Sequence, residues 1–223
     1  MDFDSWEPTY LKILADFGFS RKGDERAALI LSKMLEQGKG GGKDKSQGKD
    51  KVEDNSAGII ALANLIYGKD ILVCGNAPIL TDELDMIDTG DYVIITADGA
   101  TAVLFDRGIV SDIIVTDLDG DVKKEIVANK KGALAVVHAH GDNIDLIKKY
   151  VPLLRGVIGT TQSTPLENVY NFGGFTDGDR CVYLAKEFGA ASITLVGFDF
   201  DDVNVSDMKK KKLKWAKRLI DAI

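Results

Sequence analysis

Residues 112–121, DIIVTDLDGD, join an uninterrupted apolar run to three aspartates at every second position. A short run rich in β-branched residues, without polar alternation, is typical of a strand covered on both faces of a parallel sheet. In an extended segment Asp117 and Asp119 share a face, where their carboxylates can bind one hard cation such as Mg²⁺. Asp121 is the weaker candidate, because Gly120 is expected to turn the chain first. The stretch therefore predicts a buried strand with a magnesium site at its carboxyl end.

Five further apolar runs of the same character flank this stretch. They are ILVC (71–74), YVIIT (92–96), ALAVV (133–137), GVIGT (156–160) and SITLV (192–196). The segments between the runs, such as TAVLFDRG and NIDLIKKYVPLLRG, are long enough for crossover helices. The pattern predicts an α/β fold with a doubly wound, mainly parallel sheet of about six strands and a small N-terminal helical subdomain.

The N-terminal part of the chain is expected to be helical. Apolar residues at three- and four-residue spacing predict helices within residues 1–37, with Asp24 as the N-cap of the second helix. Residues 38–57 are rich in Gly, Lys and Asp and predict a mobile loop, either a solvated connector or a lysine-bearing lid. We place the domain boundary after this loop, so that residues 1–57 form an N-terminal helical segment and residues 58–223 form the α/β catalytic domain.

The C-terminal stretch SDMKKKKLKWAKRLIDAI predicts an amphipathic helix that closes the catalytic domain. We expect Leu213, Trp215 and Ile220 to pack on one side, and the lysines to form the solvated face. Trp6 and Trp215, read as exposed aromatics, leave room for a homodimer.

Composition narrows the class of protein. The 223 residues carry a formal net charge of −7, which argues against a nucleic-acid binder and favours metal ions as the neutralising partner of any anionic ligand. The sequence has no apolar run of membrane-spanning length and no signal-peptide pattern at its N-terminus, so we expect a cytoplasmic protein without a membrane partner. Two cysteines are too few for a disulfide framework.

Small, polar or acidic residues follow every predicted strand. Because the carboxyl ends of parallel strands meet at one edge, these segments are expected to share one ligand-binding rim. Gly75 and Asn76 form a short turn that either exposes backbone N–H groups to a phosphate or is only a tight turn. Asp98, beside Gly99, either caps the next helix or binds a ligand. Neither the dinucleotide-binding nor the P-loop glycine motif occurs. The rim segments are GNAP (75–78), ADGA (97–100), TDLDGD (116–121), HAHGDN (138–143), GTTQ (159–162) and GFDF (197–200).

The only two histidines of the chain, His138 and His140, are two residues apart at a strand end. Together with Asp142 they resemble the metal ligands of a hydrolase, although such sites normally use further histidines. The other interpretation is that they contact a substrate or support the aspartates.

Residues 159–180, GTTQSTPLENVYNFGGFTDGDR, form the longest unusual segment. Phe172, Phe175 and Asp177 are candidates to line a pocket for a flat ring bearing amide groups, or the phenylalanines pack within their own loop. Asp179 is a candidate cap for the helix that follows.

The motifs ADGAT, DIIVTDLDGD, VHAHGDN, GTTQ and NFGGFTDGDR resemble the archaeal-type 6-hydroxymethyl-7,8-dihydropterin pyrophosphokinase family over roughly residues 70–200. A looser resemblance, over residues 92–121, is to thiamine pyrophosphokinase. Both families imply magnesium-dependent transfer of diphosphate from ATP to a hydroxyl group on a heterocycle, with release of AMP. The first implies a step of pterin cofactor synthesis, of the folate or methanopterin type. Ala77 and Ile79 stand where the family often has glycine and serine, which weakens a phosphate role for that turn.

The resemblance implies a role for each rim residue. Asp117 and Asp119, alone or together with Asp98, are the expected metal ligands, and His140 or Asp142 would orient the attacking hydroxyl or accept its proton. The expected partners are small molecules only, with Mg²⁺ as cofactor and ATP as co-substrate. The expected nucleotide-binding residues are Gly75, Asn76, Asp98, Gly99, Thr160 and Thr161. The expected substrate-binding residues are Gln162, Asn171, Phe172, Asp177 and Arg180. Arg180 is expected to pair either with a phosphate or with Asp177 or Asp179.

Overall fold

The computed structural model describes residues 2–38 and 56–223. The predicted loop at 38–57 lies almost entirely outside the described residues. The helices are α1 (Phe3–Phe17), α2 (Arg21–Gly38), α3 (Ser56–Ile66), α4 (Leu80–Leu84), α5 (Ala100–Asp106), α6 (Val122–Lys130), α7 (Ile144–Tyr150), α8 (Asp177–Glu187) and α9 (Asp207–Asp221). The strands are β1 (Asp70–Cys74), β2 (Val93–Ala97), β3 (Ile113–Thr116), β4 (Leu134–Ala139), β5 (Ile158–Thr161), β6 (Val169–Tyr170) and β7 (Ser192–Val196).

The seven strands form one sheet in the order β6-β5-β4-β3-β2-β1-β7, and every neighbouring pair is parallel. The predicted α/β class is confirmed, and six of the strands match the six apolar runs. The seventh, β6, has two residues inside the long segment at 159–180. A strand this short has no periodicity to detect, which is why the sequence did not predict it.

Helices cover both faces of the sheet. On one face, Leu62 of α3 and Leu184 of α8 pack against Ile71, Ile95 and other strand residues that point to the same side of the sheet. On the other face, α4 and α5 pack against Leu72 and Ile94 in a separate cluster. Strand residues that are buried on both faces are apolar at every position, which explains the absence of polar alternation in the runs.

The N-terminal helices pack directly on this α/β unit. Ala27 and Leu31 of α2 share a buried cluster with Val137 and Ala139 of β4. From α1, Trp6 belongs to a cluster that includes residues of α8 and α9. The N-terminal helices thereby reach the carboxyl edge of the sheet, where the polar rim lies. The division of the chain at residue 57 stays a prediction.

Three local expectations need correction. Asp24 is not the N-cap of α2, because the helix begins at Arg21 and the Asp24 side chain points into the protein. Trp6 is 2 % exposed, so it offers no aromatic surface to a second copy. Lys209 and Lys212 of α9 line a pocket and do not belong to a purely solvated lysine face. In residues 2–38 and 56–223, no helix is long and apolar enough to cross a membrane.

Candidate active site

Three carboxylates meet at the carboxyl ends of β2 and β3. One oxygen from each of Asp98, Asp117 and Asp119 lies within 4.8 Å of the others. The segment that carries Asp117 and Asp119 was expected to be extended, but it is not. Leu118 between them has φ 70°, and Asp98 itself has φ 40°. Non-glycine residues rarely adopt positive φ, so the fold maintains two unfavourable backbone conformations where the three carboxylates come together.

The Asp98 carboxylate is held against the turn that follows β3. Its Oδ1 accepts hydrogen bonds from Thr116 Oγ1 at 3.0 Å and from Gly120 N at 3.3 Å. A Cβ atom on Gly120 would lie 2.5 Å from Asp98 Oδ2, so the absence of a side chain at this position leaves room for the Asp98 carboxylate. Asp121 accepts a hydrogen bond from Lys124 N and caps α6, consistent with its exclusion from the metal ligands.

The crowding of these acids changes their protonation. Burial, followed by the charges of Asp117 and Asp98, raises the pKa of Asp119 to about 7. Burial alone would raise the pKa of Asp117, but its hydrogen bond with His140, together with the charges of His140 and Arg180 and a contact with Asp119, outweighs burial and lowers the pKa. Burial and the neighbouring Asp98 raise the pKa of Glu125 to about 9, so this hidden carboxyl adds no charge at neutral pH. Oδ1 of Asp117 is buried and has no hydrogen-bond partner. The cluster therefore has unmet capacity for a cation.

His140 orients Asp117. Its Nδ1 accepts a hydrogen bond from Asp142 N at 3.3 Å, so the proton of the neutral ring belongs on Nε2, which lies 3.2 Å from Asp117 Oδ2. Asn143 adds a second link, because its Nδ2 donates to the carbonyl oxygens of Asp117 at 2.8 Å and His138 at 2.7 Å. These contacts hold the ends of β3 and β4 in register beside the carboxylate cluster.

His138 has a different environment from His140. It is 1 % exposed in β4, and its Nδ1 lies 3.2 Å from Thr160 Oγ1. Burial, with smaller effects of Arg180 and His140, lowers its pKa well below the ordinary value, so the ring is neutral. The three aspartates form the one group of three or more potential metal ligands in the described part of the chain, and neither histidine belongs to it. The geometry gives the histidine-based hydrolase no support.

The carboxylates lie in an open pocket of about 940 Å³ along the sheet edge. The pocket contains eleven of the fifteen predicted site residues: Gly75, Asn76, Asp98, Gly99, Asp117, Asp119, His140, Asp142, Gln162, Asp177 and Arg180. The other four lie elsewhere. Thr160 and Thr161 are buried in β5, Asn171 donates to the carbonyl oxygen of Ser163 at 2.8 Å, and Phe172 packs against the core under α8.

The turn after β1 is committed to the protein itself. Gly75 N donates to the Val196 carbonyl oxygen at 2.8 Å, and Ala77 N donates to that of Gly197 at 2.9 Å. A Cβ on Gly75 would lie 2.5 Å from the Gly197 oxygen, so the glycine permits a close approach to the end of β7. These two N–H groups are therefore not free to bind a phosphate.

A chain of polar contacts joins the N-terminal helices to the pocket. The Asp24 carboxylate is 4 % exposed and accepts three hydrogen bonds, from Tyr10 Oη (2.8 Å), Gln162 Nε2 (2.8 Å) and Gly141 N (2.9 Å). Gln162 Oε1 accepts from Arg180 Nη2 at 3.3 Å. Both ends of the Gln162 amide are thus bonded within the protein, which favours a positioning role.

Arg180 continues the chain to Asp177. Its Nη1 lies 3.1 Å from Asp177 Oδ1, with 17 % of the Asp177 side chain exposed to the pocket. Burial and Asp117 raise the pKa of Asp177 well above its ordinary value, while Arg180 opposes the shift. Asp179 is not the N-cap of α8, because the helix begins at Asp177 and Thr176 is the N-cap; Asp179 is the third helical residue and forms a capping box with Thr176.

Sequence reasoning missed four residues of this site. Asn143 was visible as a polar residue after a strand, but its two backbone contacts depend on the fold. Asp24 is distant in sequence from the rim, and no motif marks it. Lys209 and Lys212 belong to a lysine run, in which only the rotation of α9 separates pocket-facing residues from solvated ones.

The fold and the pocket define a class of protein: an α/β protein that offers a carboxylate cluster at the edge of a parallel sheet, suited to a cation with a phosphorylated ligand. Within that class, the family model of the 6-hydroxymethylpterin diphosphokinase MptE-like proteins matches residues 50–205. The chain belongs to this family, and the family expected from the sequence motifs is confirmed.

Three curated relatives are similar over nearly the whole chain, and each is named 6-hydroxymethyl-7,8-dihydropterin pyrophosphokinase. The Methanocaldococcus jannaschii protein is 38 % identical over 245 aligned residues, which cover 99 % of this chain and 95 % of the relative. The Methanothermobacter thermautotrophicus protein is 39 % identical over 237 residues, covering 99 % and 94 %. The Pyrococcus furiosus protein is 39 % identical over 236 residues, also covering 99 % and 94 %.

Proposed function

We propose that this protein is a 6-hydroxymethyl-7,8-dihydropterin pyrophosphokinase, which transfers the terminal diphosphate of ATP to the hydroxymethyl group of the pterin and releases AMP. Family membership supports the reaction class, and the full-length similarity to the three named relatives supports the substrate. The observation that carries the proposal is the cluster of Asp98, Asp117 and Asp119 inside the large pocket. The product is an intermediate of pterin cofactor synthesis, and the reaction is expected to take place in the cytoplasm.

The carboxylate cluster fits Mg²⁺. Carboxylate oxygens are the protein ligands that this ion prefers, and Asp117 Oδ1 is a buried acceptor without a donor. The raised pKa of Asp119 reflects first its burial and then the like charges of Asp117 and Asp98, and a cation at the cluster would offset both. Magnesium held at this site would neutralise charge on the ATP phosphates during the transfer.

The residues around the cluster have separate tasks in this proposal. In-line transfer depends on positioning more than on covalent chemistry, so the fixed orientation of Asp117 by His140 is part of the catalytic arrangement. Because both nitrogens of His140 are already bonded, Asp142 is the better candidate to accept the proton of the attacking hydroxyl. Its side chain is exposed in the pocket.

The pterin edge has donor groups that suit a carboxylate. Asp177 has one oxygen on Arg180 and remains partly open to the pocket, so it can accept from the ring N–H and amino groups. Arg180 orients Asp177 through their ion pair, and Gln162 in turn accepts a hydrogen bond from Arg180. Asn171 and Phe172 would act, if at all, through the packing of the loop that carries them, because neither lines the pocket.

The partners that we propose are these small molecules, without nucleic acid. The net charge of −7 supports that exclusion. A homodimer stays a prediction, and Trp6 is no longer a candidate contact for it. Light scattering coupled to size-exclusion chromatography measures the oligomeric state directly.

The function is tested by product analysis. The protein is incubated with ATP, Mg²⁺ and 6-hydroxymethyl-7,8-dihydropterin, and we expect AMP and the pterin diphosphate in equal amounts. ADP as the nucleotide product would mean simple phosphoryl transfer and would contradict the proposal. Replacing the pterin by thiamine tests the second heterocycle, and AMP release with thiamine alone would favour the thiamine-type reaction. Hydrolysis of a substrate without ATP would favour the hydrolase.

A further inference from the structure

Helix α9 turns one face towards the pocket. Lys209, Lys212, Leu213 and Ala216 all line it, at the spacing i, i+3, i+4 and i+7 that places residues on one face of a helix. This helix lies outside residues 50–205, which the family model matches. The residues of α9 that line the pocket are therefore not among the motifs by which the family was identified.

The rotation of α9 is fixed by contacts on its other faces. Trp215 Nε1 donates to the carboxylate of Asp16 at 2.8 Å, and Leu219 is buried among residues of α1 and α8. Ser206 caps the helix by accepting a hydrogen bond from Lys209 N at 3.2 Å. Because Trp215 and Leu219 contact other helices, the rotation of α9 keeps the same two lysines on the pocket side.

Most lysines of α9 that face elsewhere already have a carboxylate partner. Lys210 pairs with Asp207, Lys211 pairs with Asp16 and Lys217 pairs with Asp201. Within residues 2–38 and 56–223, no such ion pair engages Lys209 or Lys212. The remaining cationic side chain in the pocket, Arg180, is bound to Asp177.

The charge of the pocket makes these two lysines significant. Eight aspartates line the pocket against three cationic side chains, and the raised pKa values of Asp119 and Asp177 reduce this excess of negative charge without removing it. An anionic ligand therefore meets net repulsion unless cations face it. Two of these acids, Asp199 and Asp202, each accept a backbone N–H two residues further along the chain, at 3.2 and 2.7 Å. These two hydrogen bonds stabilise the loop that precedes α9.

We propose that Lys209 and Lys212 bind the β- and γ-phosphates of ATP. This assignment rests on the proposed function, and it places the polyphosphate between the cation at the carboxylate cluster and the wall of α9. Lysine is a flexible point charge that suits the distributed charge of a polyphosphate. In this proposal the polyphosphate contacts Lys209 and Lys212, and the pterin contacts Asp177.

The test separates phosphate binding from turnover. Lys209→Ala and Lys212→Ala are compared with Lys214→Ala, a matched control that removes an exposed lysine of the same helix that does not line the pocket. Calorimetry with Mg²⁺ measures binding of α,β-methylene-ATP, whose CH₂ bridge replaces the oxygen of the bond that breaks, and binding of AMP. We expect the triphosphate analogue to bind about tenfold more weakly to each pocket variant, as for loss of one charge-assisted contact. We expect AMP binding to change less than about twofold in each case, and the control to bind both nucleotides as the wild type does.

Two results would overturn the inference. One is wild-type affinity of both pocket variants for the triphosphate analogue. The other is an equal loss for AMP and the analogue, which would mean that the lysines affect the nucleoside end or the fold. In steady-state assays we expect KM to rise for ATP and to stay unchanged for the pterin. Because calorimetry needs no turnover, it measures the contribution of the two lysines to nucleotide binding even if the wild-type protein is inactive with the pterin.

Discussion

Replacing Asp24 by asparagine tests whether the N-terminal helices are part of the active site. The carboxylate is buried and accepts hydrogen bonds from Tyr10, Gln162 and the backbone of Gly141. Burial and Asp24 raise the pKa of Tyr10 above its usual range, so its hydroxyl remains a donor. Asparagine keeps the shape but turns one acceptor oxygen into a donor, whichever way the amide is oriented.

The expected cost follows from the contact that is lost. The least damaging orientation of the new side chain points its amide nitrogen at Gly141 N and leaves that half-buried donor without its partner. A half-buried donor that faces another donor costs roughly 1–2 kcal/mol in the free energy of unfolding. Because Gly141 follows His140, the same change displaces the histidine that orients Asp117, and we expect kcat to fall about tenfold.

The control is the neighbouring residue on the same helix. Glu25→Gln removes an ion pair with Arg21, in which 41 % of the Glu25 side chain is exposed, and should cost less than about 0.5 kcal/mol. Urea unfolding followed by tryptophan fluorescence measures both variants, since Trp6 donates a hydrogen bond to the Gln162 carbonyl. Equal stability of the two variants, with unchanged kcat, would refute the reasoning.

Three further predictions concern buried groups and the turn after β3. His138 is neutral when folded and titrates near 6.5 when unfolded, so the unfolded state takes up the extra proton and stability is lost as the pH falls below about 6.5. Between pH 7 and pH 5 the wild type should lose about 2 kcal/mol more than His138→Asn in urea unfolding, and parallel losses would contradict this. Burial raises the pKa values of the Cys74 and Cys181 thiols. A disulfide reagent should therefore modify neither cysteine in the native protein and both after unfolding. Rapid labelling of the native protein would contradict this and would show that the interior opens. Gly120→Ala should push the Asp98 carboxylate aside and lower activity about tenfold at limiting Mg²⁺, and wild-type magnesium dependence would be the contrary result.

The sheet could be predicted from the sequence because its strands are buried on both faces. Such strands are continuous apolar runs, and the polar residues after each run mark the carboxyl edge. DIIVTDLDGD indicated both features at once, and the carboxylates of Asp117 and Asp119 do meet. The reason given for their meeting was wrong in detail, since the positive φ of Leu118 breaks the extended segment.

The rest of the site depends on contacts between segments that are far apart in the chain. Asp24 and Gln162 are 138 residues apart, and no local pattern pairs them. The roles of Lys209 and Lys212 follow from how α9 is anchored through Trp215 to Asp16, a contact between the two ends of the chain. Periodicity showed that α9 is amphipathic, but it could not show which part of the polar face meets a pocket.

The measurement that tests the central claim most directly follows the β-phosphorus of ATP. With [β-³²P]ATP, Mg²⁺ and 6-hydroxymethyl-7,8-dihydropterin, we predict that the label leaves the nucleotide and appears in the pterin product. Asp117→Asn should reduce this transfer by at least about 100-fold while leaving the circular dichroism spectrum unchanged. Label that stays in ADP, or a variant that transfers it at the wild-type rate, would contradict a diphosphate transfer centred on these carboxylates.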